Sequence, residues 1–111
     1  MHVEVSTDTR VTADVPVTTA AVEAGLVRFR DRLTRVEVHL SDVNGPKGGR
    51  DVRCALEARA AGRQPVAVTN EAHTADDAVK GAVEKMKSLL TATFGREGDA
   101  KGGPSASGLP T

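Results

Sequence analysis

Arginine is concentrated in the middle third of this chain, and its chemistry suits an anionic partner. Residues 28–63 contain nine basic and five acidic side chains, although the whole chain balances 15 Lys and Arg against 15 Asp and Glu. Arg28 and Arg32 stand four residues apart, and Arg35 follows them closely. Since a planar guanidinium matches a phosphate through two parallel N–H donors, these residues can share a phosphate-binding patch. The same arginines can instead form a solvated surface paired with Asp31 or Glu37, and the charge pattern leaves both interpretations open.

The other reactive residue types do not form an enzyme signature. Cys54 is the only cysteine and has no histidine near it in sequence, so neither a Cys–His nucleophile nor a metal-binding spacing is indicated. Its alternation with Val52 and Leu56 predicts a buried thiol that acts as a small apolar group. The glycine-rich segment 44–49 contains Lys47 but lacks the spacing of a P-loop. We therefore expect no enzymatic activity, no cofactor, no metal and no small-molecule substrate.

Length and composition favour one small soluble domain. Hydrophobic residues make up 39% of the chain, charged residues 27% and aromatic residues only 2%, so the core must consist mainly of Val, Leu and Ala. No segment approaches the roughly 20 apolar residues of a membrane helix, and the first residues do not resemble a signal peptide. We expect a cytoplasmic protein without a membrane partner. The sequence does not indicate its oligomeric state.

Hydrophobic periodicity predicts four strands and two helices. Alternation predicts strands over residues 2–5, 35–43, 51–60 and 64–69. Spacings of four and three predict a first helix over residues 18–33, with Val22, Leu26, Phe29 and Leu33 on one stripe and with Gly25 weakening it. A second helix of about 18–20 residues should follow Thr74, which is placed as its N-cap.

This order defines the expected architecture. One apolar face per strand and two amphipathic helices predict an α+β fold of order β-α-β-β-β-α, a four-stranded mixed sheet with both helices on one face. The strand-helix-strand connection makes the first pair of strands parallel, and the remaining strands form an antiparallel meander. Arg35, Glu37 and His39 then lie on the uncovered face. We expect this domain to span residues 1–94, followed by a disordered Gly/Ser/Pro-rich tail over 95–111.

Several segments of the chain resemble one protein family. They are "RFRDRLTRVEVHLSD", "KGGRDVRCALEAR" and "PVAVTNEAHTADDAVKGAVEKMKSLL". Residues 1 to about 94 resemble the ribosome hibernation-promoting factors, also called ribosome-associated inhibitor A or sigma modulation proteins, and in particular their short forms. The resemblance implies a fold like that of double-stranded RNA-binding domains. It also implies binding to the small ribosomal subunit, in the channel used by messenger and transfer RNA, which blocks an idle ribosome.

The resemblance and the arginine patch together give the expected RNA-binding residues. They are Arg28, Arg32, Arg35, Lys47, Arg50, Arg53 and Lys85. Lys85 matches the basic residue of the family's "DKL" pattern, here "EKM". No aromatic side chain falls on a strand face to stack a base, so RNA would be bound through its shape and phosphates. A neutral chain releases few counterions, so ribosome binding should be weaker than that of a strongly basic relative. The alternative is a protein-interaction module on the same fold that has lost ribosome binding.

Overall fold

The elements follow the predicted order. The computed structural model describes residues 1–9, 11–43 and 51–102. Its strands are β1 (His2–Thr7), β2 (Leu33–Asp42), β3 (Val52–Ala60) and β4 (Val66–Ala72). Its helices are α1 (Val15–Gly25), a short 3-10 turn (Val27–Phe29) and α2 (Ala75–Gly102). Within the described part of the chain, no helix is both long and apolar enough to cross a membrane.

The sheet has the expected mixed topology. The four strands lie in the order β1-β2-β3-β4, so that β1 and β4 are the edges. Strand β1 pairs with β2 in parallel, as a crossover through α1 requires, and β2, β3 and β4 are antiparallel neighbours. Pro65 directly precedes β4, where its missing N–H costs no hydrogen bond between strands. The α+β prediction is therefore confirmed.

The core lies between one face of the sheet and the two helices. The predicted apolar positions of α1, β2, β3 and α2 meet there in one cluster. Its largest fully buried side chains are Leu26, Leu40, Leu56, Met86, Leu90, Val22, Val36, Val38 and Cys54. Aliphatic side chains dominate this set, as the shortage of aromatic residues predicts. Arg35, Glu37 and His39 lie on the opposite, uncovered face.

The prediction of one continuous helix over residues 18–33 is wrong. Helix α1 begins after Asp14, whose Oδ1 accepts a hydrogen bond from the Val17 amide at 3.0 Å, and it ends at Gly25. The chain then forms the 3-10 turn and enters β2 at Leu33. The apolar stripe is nevertheless buried as expected, because three successive elements place its members against one core. Spacings of four and three therefore identified the buried face correctly but not the backbone conformation.

Helix α2 is longer than predicted. Thr74 caps it as expected, since its Oγ1 accepts a hydrogen bond from the Asp77 amide at 3.1 Å. The helix has 28 residues instead of about 18–20 and runs through Gly102, into the segment predicted to be a disordered tail. Arg, Glu, Ala and Lys are good helix formers and are interspersed with the glycines of that segment. Residues 103–111 lie outside the described residues, and the domain boundary at residue 94 stays a prediction.

Candidate nucleic-acid interface

The open face of the sheet carries arginines that are already paired with carboxylates. Arg35 Nε donates to Glu37 Oε2 at 2.8 Å, and the same guanidinium bonds Glu4 on β1. Arg53 bonds Glu71, its register partner on β4, at 2.7 Å. On the same face, Arg59 and Glu57 lie 3.2 Å apart. Two predicted RNA-binding residues, Arg35 and Arg53, therefore belong to ion pairs on this face.

The Arg35–Glu37 pair stabilises the charged forms of both partners. The hydrogen bond from Arg35 lowers the pKa of the Glu37 carboxyl, and the bond to Glu37 raises the pKa of Arg35 in turn. Among the outward-facing side chains that the structure describes on the strands, the arginines are Arg35, Arg53 and Arg59 and the glutamates are Glu4, Glu37, Glu57 and Glu71. The acids thus outnumber the bases by one, so this face does not present a positive field to a polyanion.

A second group of arginines surrounds the only two phenylalanines of the chain. The rings of Phe29 and Phe94 lie 5.9 Å apart between centroids. The Arg28 guanidinium carbon is 5.3 Å from the centroid of the Phe29 ring. Those of Arg32 and Arg63 are 4.1 Å and 5.9 Å from the Phe94 centroid. These distances are within the range of cation–π attraction, and we call these five residues the arginine–phenylalanine cluster.

Separate elements bring this cluster together. Arg28 lies on the 3-10 turn, Arg32 lies directly before β2, and Phe94 lies on α2 and packs against the core. Arg63 lies on the turn between β3 and β4, where Gly62 adopts a positive φ of 74° that suits glycine. Because Leu33 pairs with Ala60, the start of β2 and the end of β3 lie at the same end of the sheet. The exposed arginines at this end therefore converge on the two rings.

Sequence reasoning missed Arg63 as a member of this group. It is far from Arg28 and Arg32 in sequence, and no spacing rule connects them. The signal was available only from strand register: a β2–β3 hairpin places the residues just before β2 beside those just after β3. The sequence also suggested that Arg28, Arg32 and Arg35 could share one patch. The structure instead puts Arg35 on the open sheet face and the other two around rings that pack against the helix-side core.

Lys85 lies on the flank formed by α2 and β4. Its Nζ donates to the Thr69 carbonyl at 2.8 Å, and this carbonyl belongs to the edge strand β4. Nearby, Asn70 Nδ2 donates to the Ala78 carbonyl at 3.2 Å, which joins the same strand and helix. Lys85 is exposed, and its ammonium group also satisfies the Thr69 carbonyl on the edge strand. The predicted RNA-binding residues Lys47 and Arg50 lie outside the described residues.

The described part of the chain contains an open groove and a buried thiol. An open groove of about 450 Å³ runs beside α1 and is lined by Met1, Ala20, Glu23, Ala24, Val27 and Arg30. Burial raises the pKa of the Cys54 thiol to about 11, so it is protonated at neutral pH and is a poor nucleophile. Among the residues that the structure describes, no group of three or more His, Cys, Asp or Glu could hold a metal ion.

Comparison with known proteins finds the same fold among solved structures. No protein-family model matches the chain, and no curated protein matches it either. Among solved structures, the chain is similar to the N-terminal domain of Thermus thermophilus Protein Y, with a TM-score of 0.66 and 19% sequence identity. The likeness covers 84% of this chain and 99% of that domain. It shows that the two chains share the same α+β fold.

Proposed function

We propose that this protein is a ribosome-associated hibernation factor that binds the small ribosomal subunit. The observation that carries the proposal is the shared fold: nearly the whole Protein Y domain is matched, and Protein Y is a ribosome hibernation factor. The segments quoted above resemble that same family, which adds sequence support to the structural likeness. Binding is proposed to occur in the cytoplasm and to involve no catalysis.

The proposed mechanism is occlusion of the decoding region. Arginine and lysine side chains would bind phosphates of ribosomal RNA, and the folded domain would then fill space that messenger and transfer RNA need. No bond is made or broken, so inhibition would be reversible on dissociation. Because each phosphate contact releases counterions from the RNA, binding should weaken steeply as the salt concentration rises.

Competition on purified small subunits tests this proposal. Increasing amounts of the protein should displace transfer RNA from subunits programmed with a short messenger RNA, and added transfer RNA should in turn displace the protein. A heat-unfolded sample of the same protein serves as the control for non-specific binding of a charged chain. Simultaneous binding of protein and transfer RNA would contradict occlusion, and absence of binding would contradict the whole proposal.

A second candidate function is a protein-interaction module on the same fold. The ion-paired face of the sheet favours it, because Arg35, Arg53 and Arg59 already hold carboxylates there and the face is not cationic. A surface that carries both arginines and glutamates suits a protein partner with complementary charges. Such a complex would depend on salt much less steeply than an RNA complex, so the salt series that tests RNA binding separates the two candidates.

A further inference from the structure

We propose that two copies of this protein associate through the groove beside α1, with their α1 helices antiparallel and with Glu23 of each copy facing Arg30 of the other. This inference goes beyond the proposed function and does not depend on ribosome binding. The partner is a second copy of the chain, so both copies use the same surface and a two-fold axis relates them.

The outer side of α1 is apolar for an exposed helix surface. In the described part of the chain, the exposed large apolar side chains are Val15, Val17 and Val27, and all three lie on α1 or on the 3-10 turn after it. Between Val15 and Val27, the one charged residue is Glu23. Apolar side chains that are gathered on one surface, and not scattered singly, mark an interaction site.

The groove gives this surface a shape that a second helix can enter. Ala20, Ala24 and Val27 follow one another at spacings of four and three, so they share one side of the helix and line the groove, with Met1 beside them. Because alanine side chains are short, another helix can approach closely at these positions. Val27 is 51% exposed, and in a dimer it would pack against Ala24 and Val27 of the second copy.

The groove also carries one charge of each sign. Glu23 and Arg30 both line it, and at seven residues apart they are separated by about 10 Å along a helix axis. Neither side chain has a hydrogen bond or an ion pair within the described part of the chain. Arg28, the other basic residue of this turn, lies over the Phe29 ring. Glu23 and Arg30 are therefore available to a partner.

These two charges make the groove complementary to itself. Glu23 precedes Val27 by four residues and Arg30 follows it by three. A two-fold axis near Val27 with the helices antiparallel therefore places each Glu23 beside Arg30 of the second copy, which gives two ion pairs. Parallel helices would instead place like charges at the same level, where they repel each other. The charge pattern thus selects the second copy as the partner and fixes its orientation.

Sedimentation equilibrium of the full chain over a range of concentrations tests the association. One helix side with a groove makes a small contact, so we expect a weak complex with a dissociation constant on the order of 10–100 µM. The average mass should rise from 11.5 kDa towards twice that value with concentration. A mass that stays at 11.5 kDa up to about 1 mM, well above that dissociation constant, overturns the inference.

Charge reversal tests the surface and the orientation. Glu23→Arg and Arg30→Glu should each dimerise at least about tenfold more weakly, because each variant replaces two attractive pairs with two repulsive ones. An equal mixture of the two variants should dimerise about as well as the unaltered protein, since one variant then carries two arginines along the groove and the other carries two glutamates. Glu84→Arg is the matched control: it makes the same change on the exposed side of α2 and should alter dimerisation less than about twofold.

The mixture decides between this surface and any other. If the single variants dimerise normally, or if their mixture is as weak as either variant alone, the α1 groove is not the interface. Circular dichroism shows whether each variant is folded. Should a charge variant unfold, Val27→Asp provides the decisive comparison: it places a charge in the groove at a half-exposed position, and unchanged dimerisation of this variant overturns the inference. Because ribosomes are absent from these measurements, their outcome is separate from that of the proposed function.

Discussion

Replacing Gly25 with alanine tests how closely α1 and α2 approach each other. A Cβ atom added at Gly25 would lie 2.4 Å from Val83 Cγ1, well inside the contact distance of two carbon atoms. Val83 is a short β-branched side chain that is 5% exposed, so it cannot rotate away without disturbing the core. Overpacking of this kind costs about 1–3 kcal/mol. Alanine regains about 0.5–1 kcal/mol through its better helix propensity.

The expected net effect is a loss of about 1–2 kcal/mol in the free energy of unfolding, since overpacking exceeds the gain in propensity. For a domain of this size that loss lowers the melting temperature by about 4–8 °C per kcal/mol. Urea unfolding followed by circular dichroism measures it, and an unchanged m-value shows that only stability has altered.

The double variant Gly25→Ala, Val83→Ala isolates the steric cause. Val83→Ala alone should destabilise the protein by about 1–3 kcal/mol because it leaves a cavity. The methyl group that Gly25→Ala introduces would partly fill that cavity, so the double variant should be more stable than the sum of the single effects by at least about 1 kcal/mol. A neutral or stabilising Gly25→Ala, or additivity within about 0.5 kcal/mol, would refute close packing at this position.

Three further predictions follow from single contacts. Asp14→Ala removes the hydrogen bond to the Val17 amide at the start of α1 and should cost about 1 kcal/mol in urea unfolding, whereas Asp14→Ser should retain most of the stability. Because burial raises the pKa of the Cys54 thiol from about 9 to about 11, the unfolded chain ionises first, and stability should fall by up to about 2–3 kcal/mol as pH rises through that interval. The Cys54→Ala variant should lack this decline. Finally, Glu37 should titrate below its ordinary range in an NMR pH series, and Arg35→Ala should raise its pKa; an unshifted Glu37 would contradict the ion pair on the sheet face.

The sequence predicted the fold because its core positions are regularly spaced. Alternation in β2 and β3 identified the buried face, and it also placed Cys54 inside and Arg35 outside correctly. The end of α1 was not predictable in the same way, because the stripe from Val22 to Leu33 has helical spacing on both sides of Gly25. Helix α1 ends there because the chain must turn into β2. This is a tertiary requirement, and the spacing of apolar residues does not indicate it.

The candidate site was less predictable because it depends on contacts between distant residues. The bond between Arg53 and Glu71 follows from the register of β3 and β4, and the approach of Arg63 to Phe94 depends on how α2 crosses the end of the sheet. Counting charges along the chain located the basic zone. It could not show which arginines bond acids on the sheet face or which ones lie beside the two aromatic rings.

Cosedimentation of the purified protein with small ribosomal subunits, measured at about 50 and about 200 mM salt, tests the central proposal most directly. If three basic side chains each bind one RNA phosphate, a slope of about −0.9 per contact predicts that affinity falls about 40-fold over this fourfold change in salt. A complex that forms at low salt and weakens by this order supports RNA-backbone binding. Absence of the protein from the subunit fraction at low salt, or a complex unaffected by salt, would contradict it.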